Sequence, residues 1–265
     1  MEVKLDHVVH FMNNHPIEAV NMWKTFGYKA VMGGNHEQWG TFNSLLYFHS
    51  SYIEFLSIND MMSANNSDNP LVSQLVSDLP KGEGIAQICF RTTDIVEVKR
   101  NLEEKGCKTL PIFNGSRKRE DGSVLKWKML FVRQSIPLLY PFFIEWEQND
   151  VERYAEMKAK GMIDRKLENN DLKAIYFAAK NCENTAEDWS RLFNLDSIHA
   201  PINNSLMSKM AGVRIGNTNI FFCEPLSEKG IVYHTLNTRG ERPFQVQFQH
   251  PIYHEPISLY GSEYV

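Results

Sequence analysis

The sequence predicts an α+β fold built from tandem units of strand, helix and three further strands. Two observations carry this reading. A short apolar run recurs, as Leu5-Asp6-His7-Val8-Val9-His10-Phe11, as Ile85-Ala86-Gln87-Ile88-Cys89-Phe90 and as Leu172-Lys173-Ala174-Ile175-Tyr176-Phe177, each followed by a helical pattern. Each unit then stops at the same distance: His7 to Gly27 is 20 residues, Gln87 to Gly106 is 19 and Ala174 to Asn194 is 20. Gly and Asn tolerate the left-handed conformation that ends a helix. A fixed period of this kind marks internal repetition.

The first unit covers residues 1–58. Pro16 suits a helix first turn, and Ile17, Val20, Trp23 and Phe26 recur at helical spacing. Tyr28 to Met32 reads as a strand, Gly33-Gly34 as a turn and Gly34 to Gly40 as an irregular loop. Ser44 to His49 and Ser51 to Ile58 complete the unit. Asn59 to Gly84 is a connector with a short helix over Leu71 to Leu79.

The second unit covers 84–147. Asp94-Ile95-Val96-Glu97 forms a capping box, and Ile95, Val98 and Leu102 an apolar stripe. Lys108 to Phe113 reads as a strand and Asn114 to Gly122 as a polar loop. Ser123 to Val132 and Leu138 to Glu147 read as the closing strands. Residues 148–170 form a charged helical linker with a solvated face. A third, degenerate unit occupies 171–265. Its helix carries Trp189, Leu192 and Phe193, and Val213 to Ile215 pairs with Asn219 to Cys223. Glu224 to Arg242 reads as a polar loop. Phe244 to His250 alternates cleanly and reads as a last strand, the opening of a truncated fourth unit.

Composition narrows the function. A net charge of −4 over 265 residues gives no electrostatic reason to bind nucleic acid or an anionic membrane. No apolar run approaches the roughly 20 residues of a membrane span. Met1-Glu2-Val3-Lys4 leads straight into a strand, so no signal peptide is expected. Cys89, Cys107, Cys182 and Cys223 lack a C-x-x-C pair, which suits free thiols in the cytoplasm. No P-loop, nucleophile elbow or dinucleotide fingerprint is present. The expected partner is a small molecule, and a homodimer is compatible with this reading.

Several stretches resemble the glyoxalase-like domain family, mostly bacterial proteins of the vicinal-oxygen-chelate superfamily. They are Leu5-Asp6-His7-Val8-Val9, Gly33-Gly34-Asn35-His36-Glu37-Gln38-Trp39-Gly40-Thr41-Phe42-Asn43, Tyr52-Ile53-Glu54-Phe55-Leu56, Gly115-Ser116-Arg117, Leu125-Lys126-Trp127 and Pro141-Phe142-Phe143-Ile144-Glu145-Trp146. The likeness is strong over residues 1–147 and weak beyond. It implies that the first two units join into an open, cup-shaped mixed sheet with helices outside. It also implies a divalent metal (Zn, Ni, Mn or Fe) in the cup, held from the first and fourth strands of each unit. By position those ligands are His7, Glu54, Gln87 and Glu145. A Gln/Glu/His/Glu set resembles that of glyoxalase I enzymes, and the second histidine of a dioxygenase set is missing. The matching positions of the third unit, Ala174 and approximately Phe221, are apolar, which implies no metal there.

The residues themselves leave alternatives open. Carboxylates inside apolar strands are rare unless paired or metal-bound, so Glu54 and Glu145 are either ligands or partners of a cation such as Arg91 or Lys128. His7 alone would read as a core histidine. Arg91 shares the Gln87 face by strand alternation and either binds a substrate carboxylate or pairs with one of these glutamates. His36 and Trp39 sit in a candidate lid, and Arg117, Trp127 and Trp146 are candidate substrate contacts at the rim. Two functions follow from the resemblance. One is a metal-dependent isomerase, lyase or transferase on a small oxygenated substrate, with Glu54 or Glu145 moving the proton. The other is a metal-free protein that binds or sequesters a small molecule. The neutral Gln87 favours the second; the paired carboxylates favour the first.

Overall fold

The computed structural model describes residues 1–118, 124–133 and 140–265. The end of the Asn114–Gly122 loop and the beginnings of the strands read from Ser123 and Leu138 lie outside the described residues. The first unit runs β1 (Lys4–Phe11), α1 (Ile17–Thr25), β2 (Val31–His36), a 3₁₀ turn (Glu37–Trp39), β3 (Thr41–Tyr47) and β4 (Tyr52–Ile58). Helices α2 (Met61–Asn65) and α3 (Pro70–Asp78) lead to the second unit. That unit comprises β5 (Gly84–Arg91), α4 (Ile95–Glu104), β6 (Lys108–Thr109), β7 (Phe113–Lys118), β8 (Val124–Leu130), β9 (Val132–Arg133) and β10 (Phe142–Trp146).

After α5 (Asp150–Ala159) come β11 (Leu172–Ala178), α6 (Cys182–Phe193), β12 (Asp196–His199), β13 (Ser208–Ile215) and β14 (Thr218–Pro225). The chain ends in α7 (Gly230–Thr238), β15 (Pro243–Phe248), β16 (Ile257–Leu259) and β17 (Ser262–Tyr264).

Eight strands of the first two units form one curved sheet, ordered β2-β3-β4-β1-β5-β10-β8-β7. The third unit and the tail form a seven-stranded sheet, β12-β13-β14-β11-β15-β17-β16. The pairing logic repeats. Strand β1 lies parallel to β4 and antiparallel to β5 with two register shifts. Strand β11 lies parallel to β14 and antiparallel to β15, again with two shifts. Thus β15 holds in the second sheet the place that β5 holds in the first, and opens a fourth unit cut down to the β16–β17 hairpin.

Several elements differ from the sequence reading. Asn114–Lys118, read as the start of a polar loop, belongs to β7 and pairs with β8, while of the strand read over Lys108–Phe113 only Lys108–Thr109 forms β6, which pairs with β9. Gly33 and Gly34 do not turn: β2 continues through them to His36, with a register shift at Gly33. A Cβ at Gly33 would come within 2.0 Å of Asn43 Oδ1, so the bare backbone lets β2 lie against that side chain. The candidate lid is therefore a hydrogen-bonded cup wall. Strand β12 was not apparent. The polar stretch after Glu224 holds α7, whose buried Val232 packs with Tyr176 and Phe244 against β11 and β15. Its propensity is weak, and tertiary packing supplies most of a short helix's stability.

One hydrophobic core serves both sheets. It joins Val8, Phe55, Phe90 and Phe143 from the first sheet to Ile175, Phe177, Phe222 and Phe248 from the second, with Trp23, Leu102 and Trp189 from the helices. The two convex faces are thus back to back, with the helices packed around them. His10 is fully buried at this junction. Its Nδ1 accepts from the Tyr264 hydroxyl at 2.5 Å, and its Nε2–H donates to the Tyr260 carbonyl at 3.0 Å, a tautomer assigned from these partners.

Burial and the nearby Arg239 push the His10 imidazole down to about 3 from an ordinary 6.5, despite the Tyr260 bond. The unfolded chain therefore takes up this proton first as pH falls. Stability from this group is full above about pH 6.5 and is lost as pH drops toward 3. Urea unfolding at pH 7.5 and 4.5 should show a smaller acid loss in His10→Gln than in the parent protein; equal losses would exclude His10 as the source.

Candidate active site

Strand β1 carries a β-bulge. Leu5 is opposite Phe90 and His7 is opposite Cys89, so Asp6 is an extra residue. Leu5 and Val8 face the shared core, while His7 faces the cup. The bulge re-aims Asp6 so that it can bond the His7 ring. Asp6 is 1% exposed and accepts from His7 Nδ1 at 2.7 Å, Trp146 Nε1 at 3.0 Å and Arg153 at 3.4 Å. Burial alone would raise its pKa. The His7 bond and the Arg153 and Arg91 charges outweigh burial and hold the carboxyl well below the usual range.

With Nδ1–H engaged by Asp6, His7 turns Nε2 toward Glu54, whose Oε2 is 3.5 Å away. Tyr52 stacks on the imidazole at 4.5 Å and Phe142 meets it edge-on at 5.5 Å, which fixes the ring. Glu54 projects from β4 at 8% exposure and its Oε1 accepts from Asn43 Nδ2.

Above this floor opens a cavity of about 640 Å³, within the usual range for small-molecule sites. Trp39, Trp127 and Trp146 form much of its wall, and Leu56, Met129 and Ile144 add apolar surface. His36 bonds Thr41 Oγ1 at 3.1 Å. Burial pushes its imidazole down, Glu54 partly offsets this, and Arg117 adds to the lowering, so His36 is neutral near pH 7. Helix α5 closes one side with Met157 and with Arg153, whose guanidinium lies 3.9 Å over the Trp146 ring.

The structure brings His7, Glu54, His36, Trp39, Arg117, Trp127 and Trp146 to this one cavity. It does not bring Glu145, Gln87 or Arg91 there. In β10, Phe142, Ile144 and Trp146 face the cup and Glu145 faces out. Its Oε2 accepts from the Ile95 N–H at 2.7 Å and its Oε1 from Lys128 Nζ at 2.6 Å, so it caps α4. The cause is register. Tyr52 sits opposite His7, and Phe142 sits opposite Cys89, which itself faces His7. Tyr52 and Glu54 thus take the cup face of β4, while Phe142, Ile144 and Trp146 take it in β10. Aligning Glu54 with Glu145 through Tyr-Ile-Glu-Phe and Phe-Ile-Glu-Trp is off by an odd number of residues, and an odd slip reverses the face.

Gln87 is opposite Val9, and its Oε1 accepts from the Ile88 N–H at 2.9 Å. Arg91 reaches Asp150 at 2.9 Å and the Ser50 carbonyl at 2.9 Å, and pairs with neither Glu54 nor Glu145.

The four-residue metal set is therefore not assembled. Asp6, His7 and Cys89 do bring one ligand atom each within 4.8 Å of one another. That trio fits a metal poorly. Both Asp6 oxygens already accept donors, and burial pushes the Cys89 thiol well above its ordinary value. On the cavity side, among the described residues, no third histidine, cysteine or carboxylate joins His7 Nε2 and Glu54, against the three or four protein ligands of ordinary zinc sites.

Sequence reasoning missed Asp6, Asn43, Tyr47, Cys89 and Arg153. Asp6 carried a signal, a carboxylate within an apolar strand, but plain alternation would turn it away from His7. Arg153 sits in a charged helix where nothing in the sequence distinguishes it from its neighbours.

A sequence profile for the glyoxalase-like domain matches residues 5–193, and the chain belongs to that family, within the vicinal-oxygen-chelate superfamily. Among solved structures it is similar to a hypothetical protein from Staphylococcus aureus, with 20% identity over 99% of this chain and 98% of that one and a TM-score of 0.78. It is also similar to a mutant of 4-hydroxymandelate synthase from Streptomyces coelicolor, with 12% identity over 94% of this chain and 71% of that one and a TM-score of 0.60. At these identities the likeness is one of fold. No curated protein matches the sequence. No helix among the described residues is long and apolar enough to cross a membrane.

The outward placement of Glu145 is testable. Glu145→Ala should lower stability by about 1–2 kcal/mol, the usual worth of a lost N-terminal cap. Unfolding in urea reads this directly, and equal stability of variant and parent would contradict the capping role.

Proposed function

We propose that the cup is the active site of an acid–base enzyme of isomerase or lyase type acting on a small oxygenated molecule. The observation that carries this is the chain Asp6–His7–Glu54, with separations of 2.7 and 3.5 Å, opening into a mainly apolar cavity. Glu54 is the general base. It lines the cavity with Asn43 as its amide donor, so it can take a proton from a substrate carbon next to a carbonyl. His7 faces the same point through Nε2; once protonated there, it can give that proton to the substrate oxygen and return to the neutral ring. The Asp6 carboxylate supports the imidazolium that precedes this transfer, much as a buried aspartate supports one in hydrolase triads. The tryptophan wall and α5 exclude water and hold the substrate against this pair.

Because the four-ligand set is not assembled, every step is assigned to the chain's own groups. Protein purified without chelator or metal resin should carry well under one metal ion per chain. Stoichiometric metal lost in both His7→Ala and Glu54→Gln would overturn that assignment. For the chemistry, carbonyl compounds with an acidic α C–H, both acids and neutral esters, are incubated with the protein in D₂O and followed by NMR. At least one should exchange its α proton, and Glu54→Gln should slow the exchange by about 10²–10⁴-fold. Binding without exchange for any compound would leave a sequestering protein as the better reading.

A further inference from the structure

We infer that the cup selects substrates bearing a single carboxylate, and that Arg117 is the residue that binds it. The inference rests on the acid–base reading only for what happens at the far end of the ligand. Its basis is the pairing of charges around the cavity. Asp6 is held by His7 and Arg153. Glu54 is held by Asn43 and His7. Glu156 pairs with Lys160 at 2.8 Å. Arg117 lines the same cavity and, among the described residues, makes no hydrogen bond or ion pair. Among the described residues one guanidinium thus has no partner, in a cavity walled in part by three tryptophans.

Its placement is built into the fold. Arg117 stands on β7 and Gly34 on β2, the two outermost strands of the first sheet, which come together without pairing. The arginine stem lies across Gly34. A Cβ there would sit 3.1 Å from Arg117 Cδ and 3.6 Å from a terminal nitrogen, and Gly34 holds φ at +136°. The absent side chain is what lets the guanidinium lie at this seam. Its charge acts on His36 and Tyr47, both cavity residues, so it is felt inside the cup.

A planar guanidinium with free N–H groups matches a carboxylate through two parallel hydrogen bonds. One guanidinium with no ion-pair partner among the described residues suits one carboxylate, whereas a phosphate monoester carries nearly two negative charges. The remaining wall, with Trp39, Trp127 and Trp146, suits a flat or apolar body. The substrate class is therefore an apolar monocarboxylic acid whose reactive carbon reaches His7 and Glu54.

The test uses calorimetric titration with phenylacetate and its neutral isostere phenylacetamide. The parent protein should bind phenylacetate about tenfold more tightly or better. Arg117→Gln should erase that preference by weakening phenylacetate alone, Arg117→Lys should keep part of it, and each variant should melt with the parent. Gly34→Ala, which crowds the guanidinium, should reduce the preference without reaching the Gln variant. Glu54→Gln should retain it while losing proton exchange, which separates this inference from the acid–base reading. A parent protein that binds neither probe or shows no preference, or a preference that survives Arg117→Gln, would overturn the inference and leave the acid–base reading standing.

Discussion

Between Leu5 and His7, strand β1 carries one residue more than its partner β5, and that extra residue is a buried aspartate. Without the bulge, Asp6 would point into the apolar core shared by the two sheets. An ionised carboxylate stranded there would cost several kcal/mol. With the bulge, it accepts from His7, Trp146 and Arg153 and stays charged. The imidazole is then held in one tautomer with Nε2 toward Glu54. A single backbone irregularity thus turns a core-facing carboxylate into the partner that orients the cup-facing His7.

The same carboxylate ties α5 to the cup. None of that helix's residues is fully buried; Tyr154 and Met157 are partly buried against the cluster of Leu45, Tyr47 and Tyr52, and polar contacts add to that packing. Its polar anchors are Arg153 to Asp6, and Asp150 to Arg91 and Lys4. Arg153 also covers the Trp146 ring. Removing either partner of a buried pair leaves the other uncompensated, so closure of the cup and charge balance on its floor are one problem with one solution. Arg91, which the sequence placed on a substrate carboxylate or a strand glutamate, serves this anchoring instead.

How much of this could be read from the chain follows from what periodicity encodes. The strand–helix–stop repeat sets element order, and the cup topology accompanies the resemblance it supports. His7 and Glu54 fall at cup positions because β1 and β4 pair in simple parallel register. Glu145 does not, because motif similarity says nothing of which face each residue of β10 takes relative to β4. Asp6 was not legible because a bulge is a property of two strands. Gly33 and Gly34 read as a turn because glycine signals flexibility, whereas here their bare backbones make room for Asn43 and Arg117. Helix α7 was hidden because its burial comes from the concave face it fills.

That face shows what the polar floor of the first cup is for. The two sheets share strand order around β1 and β11, the parallel and antiparallel pairings and the paired register shifts. Yet Ala174, Tyr176, Phe244 and Val232 fill the second concavity with apolar side chains under α7. That arrangement needs no buried charge and no bound ligand. Apolar filling of a concave sheet is the more stabilising choice, since buried ion pairs rarely outperform well-packed hydrophobic residues. The first cup keeps Asp6, His7, Asn43 and Glu54 at its floor and an unpaired arginine at its seam, all against that preference. Buried polar groups retained at a stability cost, in a concavity left open beside a filled twin, single out the first cup as the candidate site of this fold.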